Sequence, residues 1–201
     1  MASVETMRSA FEDIYSKDVW RGGSGPGSSP VNTAEYRAFV QRFMHDNSVR
    51  TVTDLGCGDW QFSRLIDWSG VRYTGLDLVP HLITSNESRY GGPSVTFRVF
   101  ETIEDLPGGD LLLCKEVLQH LPNEAVADYL RHIRKKYRLA LLTNFVLPEQ
   151  LVNSDIAPGR SRPLRLERPP FSAPGAVVMT YHPQDGRVIF KNHVFLMFGA
   201  P

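Results

Sequence analysis

Apolar positions in the first fifty residues recur at helical spacing. Val4, Met7, Phe11 and Ile14 lie three and four apart, which predicts one amphipathic helix. Tyr36, Phe39, Val40 and Phe43 form a second stripe, with Asn32 or Thr33 as its cap. Between them, nine of the ten residues 21–30 are Gly, Ser or Pro, so no regular element is expected there. From residue 49 the period changes. Short apolar runs at 49–55, 71–78, 94–99, 111–114 and 139–143 read as strands. They alternate with helical patterns at 59–68, 80–89 and 122–137. The run 111–114 is apolar at every position, as in a parallel strand covered on both faces.

Strand–helix alternation implies parallel strands joined by right-handed crossovers. Residues 100–109 have room for a turn of helix at most. The rhythm then stops. Residues 158–174 carry five prolines and the arginines Arg160, Arg162, Arg165 and Arg168. Residues 176–181 and 187–198 read as two strands joined around Asp185-Gly186, a hairpin. The expected class is α/β, a parallel sheet finished by an antiparallel pair.

Composition narrows the function. The 201 residues carry 22 Lys and Arg against 22 Asp and Glu, which argues against a dedicated nucleic-acid binder. No apolar run reaches the ~18 residues of a membrane span, and the N-terminus lacks a secretory pattern. Cys57 and Cys114 stand far apart with no CxxC, so neither a metal site nor a disulfide framework is expected. The expectation is a cytoplasmic, soluble monomer or homodimer.

The informative segment is Val52-Thr53-Asp54-Leu55-Gly56-Cys57-Gly58-Asp59-Trp60. A strand enters a Gly-x-Gly turn, where glycine lets backbone approach a ligand closely. A helix start beyond the turn would offer free amides. Nineteen residues past Gly58, Asp77 ends the second strand, where a carboxylate can accept both hydroxyls of a ribose. Gln61 stands where dinucleotide folds place a third glycine. Asp54 and Asp59 would repel a diphosphate but suit a cationic amino group. Asp54 reads either as ordering the glycine turn or contacting that amino group, or as a plain turn-former. Trp60 reads as pocket wall or as core.

Asp54-Leu-Gly-Cys-Gly-Asp59 resembles motif I of the class I S-adenosylmethionine-dependent methyltransferases. Asp77 matches the acidic residue ending their second strand. Residues 110–122, Asp-Leu-Leu-Leu-Cys-Lys-Glu-Val-Leu-Gln-His-Leu-Pro, resemble their fourth-strand motif. The resemblance implies a doubly wound seven-stranded sheet of order 3-2-1-4-5-7-6 at residues 49–201, behind an N-terminal helical lid at 1–48. It implies that Gly56 and Gly58 line the methionine moiety of S-adenosylmethionine and that Asp77 holds the ribose. Leu78, Phe100 and Glu101 would surround the adenine, and Lys115 and Glu116 would face cofactor and acceptor.

The remaining chemistry is read from the residues. Trp20, Ser24 and Gly25 touch the ligand if residues 21–30 are a lid; the alternative is a plain linker. Glu116, His120 and Lys115 are the candidates for proton transfer and substrate contact, since imidazole titrates near neutrality; His120 reads equally as a packing or capping residue. Asn144, Phe145, Asp155, Arg160 and Arg162 are candidates for binding a small-molecule acceptor, and the guanidinium groups would suit an acidic one. The expected reaction is methyl transfer to a small molecule of specialised metabolism, giving S-adenosyl-L-homocysteine. The alternatives are a non-methylating displacement, elimination or cyclisation on the same fold, a non-catalytic partner subunit that retains it, and last an NAD-binding dehydrogenase.

Overall fold

A computed structural model describes residues 4–147, 149–184 and 190–200. The two N-terminal stripes are helices α1 (Val4–Ser16) and α2 (Ala34–Asp46). There follow β1 (Thr51–Leu55), β2 (Arg72–Asp77), α3 (Pro80–Tyr90), β3 (Val95–Val99), β4 (Gly109–Lys115), α4 (Asn123–Lys136) and β5 (Tyr137–Val146). The chain ends with β6 (Gly175–Tyr181) and β7 (Lys191–Phe198). The expected turn at Asp185-Gly186 lies outside the described residues.

One sheet holds all seven strands, in the order β3-β2-β1-β4-β5-β7-β6. The first five are parallel neighbours, and β7 runs antiparallel to both β5 and β6. The continuous run in β4 is explained by its two covered faces. Leu112 and Cys114 enter one core with α1 and α4, through Met7, Phe11, Val126 and Ile133. Leu111 and Leu113 point the other way, toward Tyr36, Val40 and Met44 of α2. The short crossover before β4 is a single 3-10 turn, Ile103–Asp105, closed by a capping box on Thr102.

The segment after β1 departs from expectation. Residues 59–68 form no α-helix, only a 3-10 turn at Ser63–Leu65. Its apolar residues make no helical stripe and are drawn individually into the sheet's underside. Trp60 takes a left-handed conformation, φ 58°. Its ring lies 5.1 Å from Phe97 and 5.5 Å from Tyr73. Phe62, Ile66 and Trp68 are buried in the same core, and α2 covers the face. Aromatic burial, worth about 1.5–3 kcal/mol per large side chain, outweighs the weak helical preference of this segment.

Candidate active site

The carboxyl ends of β1, β2 and β4 open into a cavity of about 390 Å³. This is the position where open parallel sheets bind ligands. At its floor, Gly56 turns the chain at φ 76°. A β-carbon there would come within 2.2 Å of Val117, so the turn has room only for glycine. The turn's amides are already engaged: Gly56 and Cys57 donate to the carbonyl of Leu76 at 2.7 and 3.0 Å. With no helix beginning here, the expected free helix amides do not exist.

Asp77 replaces them as the organiser. Its carboxylate accepts from the amides of Gly58 at 2.9 Å and Val79 at 3.0 Å. Asn86 of α3 donates to the Gly58 carbonyl at 2.8 Å, pinning the turn from the other side. Burial pushes the Asp77 carboxyl up, and the two amides oppose that shift. Asp54 is also buried and is pushed up to about 6, first by desolvation. It accepts from Tyr73 at 2.7 Å and Ser63 at 3.0 Å. Asp54 therefore fastens the post-β1 segment and still lines the cavity.

The N-terminal segment closes over this floor. Ser24 and Asp59 exchange two hydrogen bonds, amide to carboxylate at 3.2 Å and amide to hydroxyl at 3.1 Å. Tyr15 reaches the Ser24 hydroxyl at 2.9 Å. Lys115 donates to the carbonyl of Gly27 at 2.8 Å and to Glu116 at 2.6 Å. Trp20, Ser24 and Gly25 line the cavity beneath this roof. A β-carbon on Gly27 would come within 2.3 Å of the Glu116 carboxylate, so roof and carboxylate are in direct apposition.

His120 sits 5.4 Å from the Trp20 ring and 6.2 Å from Phe11. Burial lowers its pKa, which favours the neutral imidazole. Its Nδ1 lies 3.0 Å from the Arg160 carbonyl, leaving Nε2 as the acceptor atom if Nδ1 carries the proton. Glu116 lies at φ 57°, a conformation that stores strain and recurs at functional sites.

Gly56, Asp54, Asp77, Leu78, Phe100, Lys115, Glu116 and His120 all border the cavity with the roof residues. Several sequence candidates do not. Gly58 instead gives its amide to Asp77. Trp60 is 5% exposed and donates its indole N–H to the Tyr73 hydroxyl at 2.7 Å, so it is core. Glu101 is exposed on the surface beyond β3. Asn144 is buried on the β5 face opposite Phe145, because successive residues of a strand alternate. Asp155 accepts from the amides of Asn123 and Ile156 and caps the start of α4. Arg162 spends its guanidinium on the Leu121 carbonyl and the Asn123 side chain, at 2.8 and 2.9 Å. Arg160 offers the site its carbonyl rather than its side chain, which is exposed.

Sequence reasoning also passed over Tyr15, Tyr129, Phe62 and Phe190, which line the cavity. Tyr15 carried a readable signal, one helical turn after Phe11. Phe62 and Phe190 carried none, since only the packed sheet brings them together.

Residues 53–140 match a family described as a methyltransferase domain. No curated protein matches the chain in sequence. Among solved structures, the fold is similar to the 1,6-didemethyltoxoflavin N1-methyltransferase of Burkholderia thailandensis, solved with 1,6-didemethyltoxoflavin and S-adenosylhomocysteine. The TM-score is 0.68 at 20% identity, over 96% of this chain and 87% of that one. It is also similar to the magnesium protoporphyrin IX methyltransferase of Synechocystis PCC 6803 with bound S-adenosylmethionine (TM-score 0.65, 16% identity, 96% and 97% covered). A mitomycin 7-O-methyltransferase matches at TM-score 0.58 and 16% identity, over 83% of this chain and 54% of that one. Residues 53–140 are thus similar to a methyltransferase domain, and the chain shares the seven-stranded fold of these solved methyltransferases.

Proposed function

We propose that the chain transfers a methyl group from S-adenosylmethionine to a small-molecule acceptor held in the roofed cavity. The observation that carries this reading is the chemistry of the lining. Among the described residues, four carboxylates (Asp54, Asp59, Asp77 and Glu116) face it against one ammonium, Lys115. That balance suits a ligand bearing a sulfonium and an ammonium group and opposes a diphosphate. Leu78, Phe100 and Tyr129 supply an apolar slot beside Asp77 for a nucleoside base. When bound, the cofactor supplies an electrophilic methyl group and leaves as a neutral thioether.

The residues then divide the work. Asp77 holds the ribose while keeping the glycine turn in place. Asp54 and the Ser24–Asp59 clasp set the polar end. Trp20 and Gly25 exclude water from above, and positioning of this kind supplies about 7–11 kcal/mol of a displacement barrier. Glu116, just past the end of β4, takes a proton from the acceptor in this reading, and its pairing with Lys115 at 2.6 Å supports it by fixing the carboxylate. The roof formed by residues 20–28 supports an acceptor that fits inside the cavity rather than a polymer.

Calorimetry with S-adenosylhomocysteine tests the reading. Binding is expected, and Asp77→Asn, which keeps an acceptor oxygen but loses the charge, should weaken it about tenfold or more. No heat with the wild type, or an unchanged Asp77→Asn affinity, overturns it. Methyl-labelled cofactor separates transfer from a non-methylating displacement, because label must appear in the product.

A further inference from the structure

The acceptor-side end of the cavity specifies more than a small molecule, and the following rests on the proposed function. Three phenylalanines far apart in sequence wall this end: Phe62, Phe145 and Phe190. The rings of Phe145 and Phe190 lie 4.8 Å apart at 33°. The Lys115 ammonium stands 5.3 Å from the Phe62 centroid, and Phe145 follows Thr143, the β5 partner of Lys115, by two residues on the same strand face. Ring separations of about 4.5–7 Å, as between Phe145 and Phe190, are those of offset or edge-on aromatic packing, and the exposed side of this pair faces the cavity.

The charge at this end is closed on itself. Lys115 holds Glu116 at 2.6 Å and is 2% exposed at its side chain, against 17% for Glu116. The ammonium is thus covered, and the carboxylate is the partner with open surface. An anionic acceptor would have to break the pair, and Asp54 also faces Lys115. The arginines that could have met an anion do not line the cavity. Arg162 is tied to Leu121 and Asn123, and Arg165 to Glu167. Ser28, Gln119, Ser161 and the neutral imidazole of His120 also line the cavity but bring no full positive charge, so the charged group left open to a ligand is the Glu116 carboxylate beside the rings.

We infer that the acceptor is an uncharged planar aromatic molecule carrying a hydroxyl group. Its ring lies among Phe62, Phe145 and Phe190, and its hydroxyl donates to Glu116. The slot discriminates twice, against saturated rings through loss of aromatic packing and against carboxylates through the covered ammonium.

Calorimetry on the protein saturated with S-adenosylhomocysteine reads this directly, with three probes on one fused bicyclic skeleton: 2-naphthol, 6-hydroxy-2-naphthoate and decahydro-2-naphthol. 2-Naphthol is expected to bind at least about tenfold tighter than either other probe. Phe145→Leu combined with Phe190→Leu should erase most of that preference while S-adenosylhomocysteine binds as before. Equal or tighter binding of the naphthoate or the decahydro compound overturns the inference. So does failure of all three probes on a protein that binds S-adenosylhomocysteine, or a preference that survives the double variant. Failure of S-adenosylhomocysteine itself sinks the proposed function and this inference with it. A preference for the naphthoate on a protein that binds the nucleoside sinks only the inference.

Discussion

The two ends of the cavity are built by different means. The end proposed for the nucleoside comes from short contiguous motifs: a glycine turn after β1, a carboxylate ending β2 and an aromatic after β3. Its hydrogen bonds run largely through backbone, from the amides of Gly58 and Val79 to Asp77 and from those of Gly56 and Cys57 to Leu76. The acceptor end comes from side chains separated by up to 128 positions, Phe62 to Phe190, and from one ion pair fastened to the N-terminal roof. Backbone-built sites are tied to local sequence because glycine and strand ends leave few options. Side-chain-built sites can be recomposed by any substitution that packs.

If that contrast is right, damage should separate by end. The largest effect should come from Glu116→Gln, which keeps the side chain's shape. Transfer of label to 2-naphthol should fall about 10²–10⁴-fold, as for loss of a positioned base, while S-adenosylhomocysteine affinity stays within about threefold. Equal losses of both would dissolve the distinction. Gly56→Ala places a β-carbon against Val117 in a left-handed turn. It should cost about 1–3 kcal/mol of backbone strain, seen by calorimetry as weaker S-adenosylhomocysteine binding. Gly27→Ala makes the complementary break, since its β-carbon meets Glu116. Acceptor KM should rise several-fold with little change in nucleoside affinity, in steady-state kinetics.

Acidity separates the ends further. The Asp54 carboxyl lies near 6 in the fold because burial disfavours its charge. This value is above the unfolded one, about 3.9. The neutral form's contribution to stability is therefore complete below the unfolded value and lost as pH rises through about 6. Ligand binding runs the opposite way, since the carboxylate is what a cationic group needs. On lowering pH from 7.5 to 5.5, the unliganded protein should gain thermal stability relative to Asp54→Asn while its S-adenosylhomocysteine affinity falls. Parallel trends would remove Asp54 from the nucleoside end. The smallest effect is expected from Trp60→Phe. It removes the indole bond to Tyr73 and should cost about 1 kcal/mol in denaturant unfolding, without touching nucleoside affinity. A loss of affinity would return Trp60 to the site.

Legibility followed the same division. Asp77 and Gly56 could be set beside the cavity from spacing, because an acid ending one strand next to a Gly-x-Gly turn after its neighbour lies at the carboxyl edge of a parallel sheet. Asn144 and Phe145 were named together at the tip of β5, but only Phe145 lines the cavity, since a strand's two faces cannot be assigned without knowing which one α2 covers. Arg162 looked like an anion receptor because its charge is visible in sequence, whereas its partners, the Leu121 carbonyl and Asn123, lie some forty residues away. The helix expected at residues 59–68 failed because Trp60 and Trp68 gain more from the aromatic core than from a helical stripe.

By itself the sequence determined the alternation of strands and helices, the strand order that follows from the family resemblance, and the carboxylate–glycine arrangement at the nucleoside end. These are local or topological, set by periodicity and by backbone dihedrals few residues can adopt. Tertiary structure alone decided which side chains wall the end of the cavity proposed for the acceptor, that Arg160, Arg162, Arg165 and Arg168 do not line it, and that Lys115 is spent on Glu116 and the roof. Those outcomes depend on competition among distant groups for the same burial and the same hydrogen bonds, which no stretch of chain encodes on its own.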